Sequence, residues 1–489
     1  MITLLGSPKR CCDGITRRQT LQAGALSLLG GGFTLDNLLA AEQRRPDRRP
    51  GKAKSVILLY LMGGAATQDM WDLKPDAPTG IRSEFRPIAS SAPGVQICEH
   101  LPKMARWMHR AALVRSVNHR GGCHNPLPSF TGYERTSRGN AFDAAETGDP
   151  PSMGSVCEYL RQHDPSSVQR AGESNTDYIF MPFWMGRDRR PPLRWSGPYA
   201  GFLGPRYDPV FTDCDPYTLS GPTARGQFEP EIVRGTPFLP NSNLGADMTV
   251  DRLQRRRSLV QQIDGQLRQL ENSPLLAGHD RMQQRAFDVL ASTKSAFDLS
   301  SEDVRLVERY GATLFGNSAL IARRLVQAGV RFVTVAWDLV EGVRLLDPTG
   351  WDTHGRNFPT LKGNHLPGLD QTYSALLADL DERGLLDETL IVVMSEMGRT
   401  PRINPQGGRD HWTNCFAVLL AGAGIQGGTV YGASDEHAAF VKDRPASPAD
   451  ICATIYHCLG IDPDMMVRDR TGRPVSIANG GRPIREILA

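Results

Sequence analysis

The 489-residue chain contains no C-x-x-C pair. Its nine cysteines are scattered, and two of them, Cys11 and Cys12, sit near the N-terminus. That spacing encodes neither a zinc ribbon nor a dense disulfide framework; isolated disulfides in an oxidising compartment stay open. No run approaches eighteen uninterrupted apolar residues, so no membrane span is expected in the mature chain. A dominant charge is missing too. The formal net charge is +3, from 56 basic and 53 acidic residues, which gives no whole-chain reason to expect a nucleic-acid partner. No internal repeat is evident. What remains is ordinary for a globular protein, with 40% hydrophobic and 7% aromatic residues.

The N-terminus reads as an export signal. Arg17-Arg18 precede a mildly apolar, glycine-bearing stretch from Leu21 to Leu35, and Ala40-Ala41 offer a cleavage site. The expected division is a twin-arginine signal peptide over 1–41, an arginine-rich linker over 42–54 and one large domain over 55–489. Such a protein would be periplasmic or on the cell surface.

Ser55 to Met62 is a continuous apolar run ended by Gly63-Gly64, which predicts a buried first strand. Ala111 to Val117 predicts a second strand, opening into the polar loop His119 to Asn125. Residues 140–245 crowd proline, glycine, arginine and aromatics, and are expected to form a long irregular insertion. Residues 247–328 return to helical spacing, with Leu253, Leu259, Ile263, Leu267 and Leu270 on one stripe. Strand and helix patterns then alternate: strands at Val330–Trp337, Thr389–Met394 and Phe416–Gly422, and helices around Leu369–Leu380 and after Ser447-Pro448. This is the pattern of a parallel sheet. The expected fold class is α/β, a three-layer α/β/α sandwich with a mostly parallel central sheet.

The polar motifs lie where such strands end, which is where open parallel sheets bind ligands. They read Gly350-Trp351-Asp352-Thr353-His354, Ser395-Glu396-Met397-Gly398-Arg399 and Gly408-Arg409-Asp410-His411. Asp352 and His354 are two apart and would share a face of an extended segment. Glu396 follows a buried strand directly. His411 follows a glycine turn. Asp352, His354, Glu396 and His411 are therefore the expected ligands of a divalent metal such as Zn, Ca or Mn. Asn357 could orient a ligand, and Asp410 and Arg409 are expected to fix the tautomer of His411. The loop after the second strand offers His124, Asn125 and Ser129, with Cys123 and Thr131 also present, as nucleophile or anion contacts beside Arg399. No single nucleophile stands out.

In their order, these motifs together with Asp69-x-x-Asp72-x-Lys74-Pro75 resemble one family. It is the large family of twin-arginine-exported proteins of unknown function, abundant in planctomycete-like bacteria and placed in the alkaline phosphatase–sulfatase superfamily. The resemblance runs from Ser55 to about Pro463. It implies an alkaline-phosphatase-like sandwich and metal-dependent hydrolysis of sulfate or phosphate esters, with an anionic ester such as a sulfated polysaccharide as substrate. Three departures stand out. Gly63-Gly64 occupies the place of the superfamily's first-strand aspartate, so Asp69 or Asp72 would have to substitute. Met397 replaces an imidazole. The sulfatase Cys/Ser-x-Pro-x-Arg motif is missing between Cys123 and Ser129. A single metal, or a catalytically degenerate envelope or surface binding protein, is the alternative these departures imply.

Overall fold

The structure is a computed structural model that describes residues 51–134, 144–163, 176–188, 192–218, 232–240, 293–338, 340 and 350–489. The expected signal peptide, the linker up to residue 50 and the leucine stripe from Leu253 to Leu270 lie outside the described residues.

Strand β1, Ser55–Leu61, is buried along its whole length. Side chains alternate across a strand, and here both faces meet apolar layers. Ile57, Leu59 and Leu61 join one apolar cluster, while Val56, Leu58 and Tyr60 join another. A strand covered on both faces has no polar side to encode, hence the unbroken apolar run. The later strands of the central sheet and of the site are β2 (Ala111–Val117), β3 (Tyr178–Met181), β4 (Val210–Phe211), β5 (Phe332–Trp337), β6 (Thr389–Met394), β7 (Gly398–Ile403), β8 (Arg409–Trp412), β9 (Phe416–Gly422) and β10 (Thr429–Tyr431). Eight of them form the central sheet in the order β10-β2-β9-β6-β1-β5-β3-β4. Within it β9 runs against its two neighbours and every other pairing is parallel. Strands β7 and β8 form a separate antiparallel hairpin.

Five helices matter for the argument: α1 (Leu127–Thr131), α2 (Met153–His163), α3 (Leu314–Gln327), α4 (Leu366–Glu382) and α5 (Pro448–Cys458). Helices α3 and α4 supply Leu320, Leu325, Leu369 and Leu376 to the first cluster. Helices α2 and α5 supply Val156, Ile451 and Ile455 to the second. The three-layer sandwich follows, since each fully buried leucine or isoleucine contributes about 1.5–3 kcal/mol that a single layer could not secure. Helix α5 starts as its sequence implies. Ser447 and Asp450 form a reciprocal capping box, with Pro448 in the first turn.

The stretch 140–245 departs from the expectation of an irregular insertion. Its described parts supply α2 and the sheet strands β3 and β4. Strand β3 is four residues, Tyr-Ile-Phe-Met, all buried. So short an apolar run carries no periodicity, and only its pairing with β5 reveals it. No helix among the described residues is long and apolar enough to cross a membrane. The seven cysteines among the described residues are all unpaired thiols.

Candidate metal centre

Four chain segments meet beyond the C-terminal ends of β1 and β6. The first is Gly63-Gly64. Gly63 has φ +116°, and a Cβ on it would stand 2.4 Å from the backbone nitrogen of Asp352. A Cβ on Gly64 (φ +89°) would stand 2.9 Å from the side chain of Met397. The glycines are therefore required for close approach, and no aspartate fits there. The Trp351 N–H donates to the carbonyl of Met62 at 2.9 Å, which lays the 351–354 segment across the strand end.

The β7–β8 hairpin closes over the same segment. A Cβ on Gly408 would lie 2.0 Å from the carbonyl oxygen of His354. The Arg409 N–H donates to the Thr353 carbonyl at 3.1 Å, and the Asn357 N–H to that of Gly407 at 3.0 Å. Arg399 on β7 pairs in register with His411 on β8, so both project to one side. Both reach Oδ1 of Asp352.

The loop after β2 supplies the last imidazole. His124 has φ +46°, a backbone conformation uncommon for a non-glycine residue and typical of functional sites. The turn is held by Asn125 Oδ1, which accepts from the Leu127 N–H at 3.1 Å at the entry to α1. His119 ties the loop to the turn after β6. Its Nδ1 accepts from the Gly121 N–H at 3.0 Å, which leaves Nε2 to donate to the carbonyl of Glu396 at 2.7 Å.

The donor atoms of His124, Asp352, His354 and His411 lie within 4.8 Å of one another. His354 Nε2 and His411 Nε2 are each 3.1 Å from Asp352 Oδ1 and 2.8 Å from one another. His124 Nε2 is 3.2 Å from Asp352 Oδ2. Bond lengths of about 2.1 Å in a tetrahedral site put ligand atoms about 3.4 Å apart, close to these spacings. Two of the imidazoles are backed by carboxylates. His354 Nδ1 lies 2.8 Å from Asp410 Oδ1, and His124 Nδ1 lies 3.1 Å from Glu396 Oε1. With those Nδ1 protons donated outward, the inward Nε2 atoms present lone pairs to a carboxylate and to each other. A cation satisfies all of them at once. Counting carboxylates as ionised, Asp352, Glu396 and Asp410 against Arg399 leave two net negative charges, the complement of a dication.

The electrostatics follow from the same contacts. Burial by itself would raise the Asp352 carboxyl. The close Nε2 contacts of His124, His354 and His411, with the charge of Arg399, hold it far below the usual carboxylate range. Burial pulls His124 down, but its bonds to Asp352 and Glu396 outweigh that and raise it. The bond to Asp352 raises His354 against burial. For His411 burial prevails and its pKa is lowered. The cluster grades from a closed floor to an open rim: the His124 side chain is 3% exposed and that of His354 44%.

The arrangement redistributes the roles expected from sequence. Asp352, His354 and His411 come together. Glu396, expected as a ligand, stands behind His124: its Oε1 accepts from the Gly63 N–H at 2.9 Å and contacts His124, so the imidazole occupies the place expected for the carboxylate. Arg399, expected to grip an anion, is fully buried. Its guanidinium donates to the carbonyls of Gly63, Gly64, Trp351 and Arg409 and to Asp352, which makes it a counter-charge for Asp352. Ser129 is buried and donates to the carbonyl of Ser395 at 3.3 Å. Asn125 also accepts from the Ser196 hydroxyl at 3.2 Å. Asp410 backs His354 rather than His411. Asp69 is consumed by a two-bond pair with Arg409 and by Asn357 Nδ2 at 2.9 Å. Asn357 in turn accepts from the Thr353 hydroxyl at 2.6 Å. Asp72 pairs with Lys74 at 3.0 Å and binds Ser434. Neither aspartate stands in for the missing first-strand carboxylate. The signal for His124 was present in the sequence, as an imidazole two residues past a glycine pair, but nothing local separated a donor from an anion contact.

Fold and site together define an α/β/α protein with a histidine–aspartate cluster at the C-terminal edge of its sheet. The chain belongs to the family described as "Protein of unknown function (DUF1501)", which it matches over residues 53–488. No curated protein matches it. Among solved structures it is similar to Ps i-CgsB in complex with k-i-k-neocarrahexaose, at 12% identity and TM-score 0.37 over 84% of this chain and 72% of that one. It is also similar to the PsFucS1 sulfatase from Pseudoalteromonas sp., at 13% identity and TM-score 0.37 over 87% and 70%. A third is the phosphonate monoester hydrolase SpPMH from Silicibacter pomeroyi, at 16% identity and TM-score 0.33 over 88% and 75%. Likeness at this level assigns no activity to the chain.

Proposed function

We propose that this protein is an exported, metal-dependent hydrolase of sulfate or phosphate esters, carried by the twin-arginine route to the periplasm or cell surface. The observation that supports it is the convergence of Asp352, His354, His411 and His124 on one point, with donor atoms within 4.8 Å of one another. A divalent ion bound there supplies Lewis acidity toward an ester oxygen and lowers the pKa of water. The chain's own residues do the rest. Asp410 and Glu396 orient His354 and His124, Arg399 supplies a counter-charge to Asp352, and the open rim at His354 admits an anionic ester, of which sulfated polysaccharide is one class. The test is metal content by mass spectrometry, followed by aryl phosphates and aryl sulfates offered to chelated protein and to protein resupplied with Zn²⁺, Mn²⁺ or Ca²⁺. Turnover restored by one ion supports the reading. A metal-loaded protein inert on every ester of both kinds would overturn it. The second reading is a catalytically degenerate binding protein. It is favoured by the fourth protein donor, since closed four-donor sites are the structural kind.

A further inference from the structure

We infer that the centre takes a single borderline-soft ion of the zinc type, and that His124, held by Glu396, is its fourth protein ligand. In the resting protein no coordination position is then left for an exogenous oxyanion. This rests on the metal-binding half of the reading above and not on its hydrolytic half.

Stoichiometry comes from where the carboxylates went. A second ion would need a second group of donors, and the described residues contain one such group. The other acids near the site are committed. Asp69 is neutralised by Arg409, with both side chains fully buried. Asp72 is paired with Lys74 and lies 3.6 Å from Arg115. Glu396 is fully buried behind His124, with Oε1 shared between that ring and the Gly63 N–H. Its Oε2 finds no hydrogen-bond partner among the described residues.

Ion class comes from the donor types. Three imidazoles and one carboxylate suit zinc and its transition-metal neighbours. Calcium and magnesium ask for six or more oxygens, or for several retained waters. Expectation of Ca²⁺ as one candidate therefore narrows to the zinc-type ions.

Closure comes from His124. It approaches Asp352 on Oδ2, whereas His354 and His411 share Oδ1, so its ring lies on another side of the carboxylate. The ring meets His411 edge-on, with centroids 4.2 Å apart. It is the buried member of the set, while the other three side chains are 20–44% exposed. Its placement is enforced: the backbone accepts φ +46°, and Glu396 is braced from below by the Gly63 N–H and, through its carbonyl, by His119. An oxyanion can reach the ion when His124 withdraws or the coordination number rises to five. Release of His124 would also relax its backbone, so this residue is the natural one to yield.

The full-length protein loaded with Co²⁺ reports this directly, because the intensity and position of its visible bands distinguish four-coordinate from higher-coordinate sites. The expected results are one Co²⁺ per chain, an intense four-coordinate spectrum, and no change on adding millimolar inorganic phosphate or sulfate. His124→Gly, which suits the positive φ, should still bind one ion but show bands that shift on adding phosphate. His354→Ala and His411→Ala should lose the ion. Glu396→Gln should weaken the affinity about 10- to 100-fold, read by competition with a chelator. Wild-type bands that respond to phosphate as strongly as those of His124→Gly, or a second equivalent of ion bound with comparable affinity, would overturn the inference while leaving the hydrolase reading standing. Failure of every ion to bind would overturn both. Should His124→Gly not fold, His124→Asn, whose side chain tolerates the same backbone, carries the same comparison.

Discussion

Replacing Asp69 by alanine strips the carboxylate partner from a guanidinium that has no access to water. Arg409 donates from Nε and from a terminal nitrogen to the two oxygens of Asp69, each at 2.8 Å. Both side chains are 0% exposed. The remaining guanidinium contacts are to the carbonyls of Ile81, Thr400 and Pro401, which satisfy hydrogen bonds without cancelling a charge. Removing one member of a buried pair costs about 3–5 kcal/mol, mostly the penalty of stranding the other charge. The loss falls on β8, whose Arg409 N–H holds the Thr353 carbonyl and whose His411 belongs to the metal cluster. Urea denaturation of Asp69→Ala should show a lower midpoint at unchanged slope, and ion affinity should fall in parallel. The double variant Asp69→Leu/Arg409→Met removes both charges. It should lie well above the sum of the single losses, with a coupling of about 2 kcal/mol or more. A single variant within about 0.5 kcal/mol of wild type, the range of an uninvolved surface change, would refute the reasoning, as would strict additivity.

Three other outcomes follow from the same contacts. Burial lowers His365 to about 4, while its unfolded counterpart titrates near 6.5. The unfolded chain therefore binds the extra proton between those values, and stability present above about pH 6.5 is lost toward pH 4 by about 3 kcal/mol. His365→Gln, which can still donate to the Gly350 carbonyl now bonded at 2.9 Å, should flatten that part of the stability–pH curve, and an unchanged curve would count against it. Gly63→Ala should cost more than about 2 kcal/mol through backbone strain and collision with the Asp352 nitrogen; a soluble variant with a wild-type urea midpoint would be the contrary result. Asp410→Ala, removing the 2.8 Å partner of His354, should weaken ion binding about 10- to 100-fold without changing the number of ions bound, as measured by chelator competition.

Much of the sheet was legible in the chain itself. Ser55–Leu61, Thr389–Met394 and Phe416–Gly422 are apolar runs bounded by glycine or polar turns, and a strand buried on both faces has no other way to be written. Helix α5 announced itself through Ser447, Pro448 and Asp450, because capping is a matter of four consecutive residues. Strands β3 and β4 were not legible. They are short, and β3 enters the sheet through β5, over a hundred residues away, as in the register of Tyr178 with Phe332, while β4 enters it through β3.

The site divides along the same line. The sequence by itself determined which side chains stand at strand ends and turns, and so assembled the acids and imidazoles from which a metal centre could be drawn. Tertiary structure decided their roles. His124 and Glu396 are 272 positions apart, and which of them faces the other donors depends on a glycine pair that lets the 351–354 segment cross β1. Arg399 and Asp69 carry charges that a sequence offers equally to a substrate or a metal. Burial settled them, because a charge taken out of water must meet its opposite inside the protein, and in this fold those partners are Asp352 and Arg409.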